Sequence, residues 1–112
     1  AVVGHTNSGA NPSLTGLNVP ALISVSADVP VSDNASLASI ALPALSSVGH
    51  DLDISLNPTL ADLEGLASLT SVGNYLSIQD NDSLCQSDAV AFTAAVSVGG
   101  NAQVLGNDGP CN

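Results

Sequence analysis

Apolar residues recur along this chain at fixed offsets from five asparagines, Asn11, Asn34, Asn57, Asn81 and Asn107, which divide it into units of 23, 23, 24 and 26 residues. Leu14, Leu37, Leu60 and Leu84 follow the asparagine by three, and Leu17, Ile40 and Leu63 come three later. Leu22, Leu45 and Leu69 form a third column and Val25, Val48, Val72 and Val98 a fourth. Two more columns, Val29, Leu52, Leu76, Ala102 and Val31, Ile54, Ile78, Val104, are separated by one residue. A two-residue period is that of a strand with alternate side chains inward, so it predicts short parallel strands over 29–32, 52–55, 76–79 and 102–105. A second, shorter strand is expected at each valine of the fourth column, ended by Gly49, Gly73 and Gly99 where the backbone turns sharply. Self-similarity at this period is the mark of a repeat architecture. The expected fold class is mainly β: a short right-handed parallel β-solenoid of about four coils, leucine-rich-repeat-like, with a small C-terminal capping helix. Residues 1–10 form an N-terminal arm, 11–81 three coils, and 82–112 a capping coil.

The asparagine column predicts a buried ladder. Where one face of a coil gives way to the next, backbone N–H and C=O groups point inward with no strand partner. A side-chain amide carries both donors and an acceptor, so it can satisfy those groups and bond its counterpart one coil away. Asn34 and Asn81 also begin Asn-Ala-Ser and Asn-Asp-Ser glycosylation sequons, but an inward ladder position is a poor glycan acceptor. Ser87-Asp88 followed by AVAFTAAV reads as an N-cap and a short helix that covers the last coil, with Phe92 as its large apolar residue.

The run SLTSVGNYLSIQDN, its echo LSSVGHDLDISLN and the cap NDSLCQSDAVAFTAAVSVGGNAQVLGNDGPCN resemble the receptor L-domain-like, leucine-rich-repeat-like solenoids of secreted and cell-surface proteins. The resemblance spans about residues 11–112. The first coil departs from it, with Val25-Ser26 where Val-Gly is expected and Pro30 inside the strand. It implies an extracellular or cell-surface location and a role in display, adhesion or recognition, and it implies no reaction.

Cys85 and Cys111 each follow a ladder asparagine by four, so they share a column in successive coils. Stacked coils lie about 4.8 Å apart, within the Cα separation a disulfide accepts. A Cys85–Cys111 bridge is therefore expected, pinning the chain end and placing the protein in an oxidising compartment. A metal site would need more ligands, and a catalytic thiol would need a base or cation beside it.

Composition narrows the function. With 112 residues, 45% of them hydrophobic but only one Phe and one Tyr, the core has to be built from small aliphatic side chains. The chain contains no Met and starts at Ala1, so processing from a longer precursor is expected. No apolar run approaches the ~18 residues that span a bilayer, so membrane insertion is not expected. There is no Lys or Arg, and the formal charge of −10 argues against nucleic acid, which selects for basic patches. Asp28 and Asp51 share a column near Asp53 and His50 and are the candidates for Ca²⁺. The spacing fixes no third or fourth oxygen ligand, so no cofactor is expected. His5 on the arm and His50 on a turn read as surface residues. Asp80-Asn81-Asp82 lacks the glycine and glutamate of a calcium loop. No catalytic trio or phosphate-cradling loop stands out, so a non-catalytic protein is expected.

Three roles remain. The first is an extracellular structural or adhesive solenoid, self-assembling end to end into a filament through an arm carrying Val2 and Val3. The second is a cell-surface recognition module that touches a glycan or protein through the outward strand residues Asp53, Tyr75, Ser77, Gln79 and Gln103. The third is binding to ice or mineral through serine and threonine columns such as Ser13, Ser36, Thr59, Ser83 and Ser24, Ser47, Ser71, Ser97.

Overall fold

The computed structural model describes residues 2–3, 15–18 and 20–110. In chain order the first strands are β1 (Val2–Val3), β2 (Gly16–Asn18), β3 (Ser24–Val25), β4 (Val29–Ser32), β5 (Ser39–Ala41), β6 (Ser47–Val48) and β7 (Leu52–Ser55). A 3₁₀ turn at Glu64–Leu66 follows, then β8 (Ser71–Val72), β9 (Leu76–Gln79), helix α1 (Gln86–Ala94), β10 (Ser97–Val98) and β11 (Ala102–Leu105). Among the described residues the protein is mainly β with one α-helix, and its strands pair in parallel. A four-stranded sheet runs β11-β9-β7-β4, a five-stranded sheet of two-residue strands runs β1-β3-β6-β8-β10, and β2 pairs with β5. The register joins equivalent positions of successive repeats: Val29 to Leu52, Leu52 to Leu76, and Leu76 to Ala102.

Each sheet turns one side to a common core of Leu, Ile and Val. Leu37, Leu45, Leu52, Ile54, Leu60, Leu76, Ile78 and Leu84 are each at most 1% exposed. The stack tapers at its last repeat, where Val98 and Val104 are only partly buried and Ala102 is exposed. Ala102 is thus a correction to its column: β11 is an edge strand with no further repeat to cover it. Leu42 and Leu66 add a buried column that the pattern also carries, eight and nine residues after Asn34 and Asn57.

Unequal repeat lengths are absorbed on one side of the core. Leu37 to Leu60 and Ile40 to Leu63 are 23 apart, but Leu45 to Leu69 is 24, so the extra residue falls between Leu63 and Leu69. The 3₁₀ turn sits there, its Glu64 amide held by the Asp62 carboxylate at 3.1 Å. Its Gly65 carbonyl accepts from the Leu42 amide at 2.9 Å, continuing the side that β2 and β5 began. In the last repeat the same side becomes α1, which takes up two more residues.

The Val-Gly turns have a different cause from the expected one. Among the described glycines only Gly106 has a positive φ. Gly49, Gly73 and Gly99 are needed because successive turns stack in contact: a Cβ on Gly73 would run into the Gly49 carbonyl oxygen, and one on Gly99 into that of Gly73. The left-handed residues lie elsewhere, one before each described ladder asparagine: Asp33, Leu56, Asp80 and Gly106, with φ of 58°, 57°, 56° and 71°.

Candidate functional site

The described ladder asparagines are buried and joined in one chain of hydrogen bonds. The Nδ2 of each donates to the Oδ1 of the next, Asn34 to Asn57 at 3.0 Å, Asn57 to Asn81 at 3.2 Å and Asn81 to Asn107 at 2.9 Å. The backbone N–H of each donates to the same oxygen. Nδ2 also donates to a strand carbonyl of the preceding repeat: Asn57 to Val31, Asn81 to Ile54 and Asn107 to Ile78, each at 2.9 Å. Asn11 lies outside the described residues. Burial removes the Asn34 and Asn81 sequons from glycan chemistry.

The last rung is a residue that the repeat pattern does not mark. Gln86 Oε1 accepts from Asn107 Nδ2 at 3.0 Å and from its backbone N–H at 3.4 Å, while Gln86 Nε2 donates to the Val104 carbonyl at 2.8 Å. These are the contacts a further asparagine would make, supplied from the first turn of α1. The available signal was indirect: a buried ladder has to end on an amide, and Gln86 is the first one after Asn81. Helix α1 accordingly begins at Gln86 rather than after Ser87-Asp88, with Cys85 at the N-cap and no side-chain cap bond. Asp88 still lies in the first turn, where its charge favours the helix dipole.

Cys85 is buried and is not a free thiol; Cys111 lies outside the described residues. The tail reaches Cys85 by a route other than a fifth parallel turn. Asp108 makes an antiparallel bridge with Cys85, and the Gly109 amide donates to the Leu84 carbonyl at 2.9 Å.

The outward face of the four-stranded sheet gathers most of the residues expected to bind. Asp53 lies between Pro30 on β4 and Ser77 on β9, and Ser77 between Asp53 and Gln103 on β11. Ser77 is 4% exposed, a correction to its place as a surface contact. It is the small residue of its row, and Gln79 Nε2 reaches over to donate to its hydroxyl at 2.6 Å. The result is a depression of about 390 Å³, walled by Asp51, Asp53, Ser55, Leu56, Tyr75, Gln79 and Asp80 with Ser77 among its lining residues. Tyr75 is half-buried, its hydroxyl bonded to Gln103 Oε1. Burial pushes the Asp53 carboxyl above the usual carboxylate range; the Ser55 hydroxyl opposes the shift, and Asp33 and Asp51 add to it.

Asp28 and Asp51 are used within the fold. Asp28 Oδ1 accepts from the Asp51 amide at 3.2 Å, and Asp51 Oδ1 from the Tyr75 amide at 3.2 Å and Asn74 Nδ2 at 3.0 Å. They form a second acceptor ladder along the turns. Among the described residues no group of three or more His, Cys, Asp or Glu is arranged to hold a metal. Several hydroxyls likewise donate to a carbonyl of the preceding repeat: Thr59 to that of Leu37 at 2.7 Å, Ser83 to that of Pro58 at 2.6 Å and Thr70 to that of Ser46 at 3.1 Å. His50 is exposed on its turn, and His5 and Ser13 lie outside the described residues.

The chain matches no family model, no curated protein and no solved structure. Among the described residues no helix is long and apolar enough to cross a membrane.

Proposed function

We propose that the chain is a short right-handed, leucine-rich-repeat-like parallel β-solenoid that acts outside the cell as a non-catalytic recognition or adhesion module, holding a ligand against the outward face of its four-stranded sheet. The carrying observation is that face. All-parallel sheets normally have both faces covered, whereas this one keeps a concave, polar surface between Asp53 and Gln79 with Ser77 in its lining. The in-register pairing of equivalent residues and the asparagine ladder support the solenoid, and a Cys85 that is not a free thiol fits an oxidising compartment.

The filament reading has less in its favour. The arm strand β1 pairs with the chain's own β3, Val2 beside Ser24 and Val3 beside Val25, and so extends that sheet by one strand within the chain. Pro30 blunts the other strand edge at that end. The Val29 amide bonds toward β7, so the imide nitrogen of Pro30 faces away from the sheet, where it removes a donor. Ice or mineral binding loses the Thr59 and Ser83 hydroxyl donors, which bond to the preceding repeat.

The test is a screen of glycans and cell-surface ectodomains against the wild-type protein and two variants. A tryptophan at Ser77→Trp fills the depression and should abolish binding of any ligand found, while Asp62→Asn, on another side of the molecule, should leave it intact. A ligand indifferent to Ser77→Trp but lost on removing residues 1–7 would move recognition to the end of the stack and refute the face.

A further inference from the structure

We infer that the partner of this face is a cationic, extended protein segment, one carrying Lys or Arg interleaved with apolar side chains, seated in a trough that runs from the sheet face over the turn beside Leu56. The inference rests on the proposed recognition face and names what that face selects. A second depression, of about 350 Å³, adjoins the first, and the two share Leu56 and Asp80 as walls. Asp51 and Asp53 line the one, Asp33 and Asp82 the other.

Leu56 is the informative residue. At the equivalent positions of neighbouring repeats stand Asp33, Asp80 and Gly106, the types that accept a left-handed backbone. Leu56 adopts that backbone with its side chain 47% exposed, so one apolar group stands between the two acidic depressions. Packing does not require it there, because the buried columns are complete without it. An apolar contact flanked by carboxylates fits an extended strand whose alternate side chains, about 6.6 Å apart, are basic and aliphatic in turn.

Charge complementarity fixes the sign of the partner. Asp53 is partly desolvated and lies in the field of Asp33 and Asp51, so an arriving cation relieves an unfavourable cluster. The chain has no Lys or Arg with which to answer its own face. Neither these 112 residues nor a second copy of them supplies a basic side chain, so the occupant is a cationic segment outside them.

An NMR titration of isotope-labelled protein tests this, with an end-capped heptapeptide alternating lysine and leucine as the probe. Its glutamate counterpart, maltoheptaose and calcium chloride are the comparisons. The lysine peptide should shift resonances at 33–35, 51–58 and 75–82 and little else, at physiological salt. Asp53→Asn and Asp80→Asn should each weaken it about two- to five-fold, as for part-exposed ion pairs. Leu56→Asn should weaken it about ten-fold through lost apolar contact, and Asp62→Asn should not change it. Shifts spread evenly over Asp62, Asp88 and the trough would reduce the effect to net charge and overturn the inference, as would calcium reproducing the localised shifts. Maltoheptaose shifting the trough where the peptide does not would overturn the cationic assignment and leave the recognition face standing. If none of the four probes touched the trough, both would fall.

Discussion

At the scale of single residues, the amides carry this fold. Asn57 donates to Asn81 and to the Val31 carbonyl and accepts from Asn34, all within the core. Asn57→Ala leaves several buried groups unpaired, and at about 1–3 kcal/mol for each unsatisfied group the loss should exceed about 3 kcal/mol in a denaturant melt. Asn18→Ala, exposed on β2, should stay within about 0.5 kcal/mol. Equal melts for the two would mean that the ladder does not bear the load assigned to it. Asp53 gives a pH-dependent counterpart. Its carboxyl is raised in the fold, so between the ordinary value of 3.8 and its folded value the native state binds more protons than the unfolded chain, and stability falls as pH rises through that window. Asp53→Asn should therefore raise the melting temperature at pH 7, and the gain should disappear below pH 3.8. The asparagine column was legible in the sequence because it repeats. Gln86 was not, because the end of a ladder occurs once and has no period.

At the scale of elements, the long strands and the valine strands were legible from their columns, and the third side was not. Leu17 and Ile40 gave an apolar column without the alternation that marks a strand, and one inserted residue turned the same side into a 3₁₀ turn and two more into α1. The glycines illustrate a related limit. Their positions were visible in Val-Gly, but the reason, contact between stacked turns, is a property of two repeats together. Gly73→Ala should cost upwards of about 1–3 kcal/mol because its Cβ meets the Gly49 backbone, which has no rotamer to yield. Leu56→Asn should do the opposite. Asn accepts the left-handed backbone that Leu56 adopts at some cost, so thermal unfolding should show a gain of up to about 1 kcal/mol. A variant that is more stable and binds less well would mark Leu56 as retained for contact rather than for folding.

At the scale of the whole molecule, the chain handles its two ends differently and leaves its broad face open. At the N-terminal end β1 lies along β3, and Pro30 removes an edge donor from β4. At the other end Gln86 supplies the final rung, α1 packs against β11, and Asp108 and Gly109 fold back onto Leu84 and Cys85. The sequence showed the cap but not the arm's partner, because two consecutive valines after Ala1 carry no register of their own. The proposed Cys85–Cys111 bridge belongs to this scale too: alkylation of the unfolded protein without reductant should add no alkyl group, and uptake of two would remove the bridge. The central claim is that the chain does not stack end to end, so that the face and not the ends meets the partner. Sedimentation velocity from micromolar to millimolar concentration, in salt, in acid and in calcium, tests it most directly. The account predicts a single 112-residue species throughout; a mass that grows with concentration, and returns to that of one chain when residues 1–7 are removed, would contradict it.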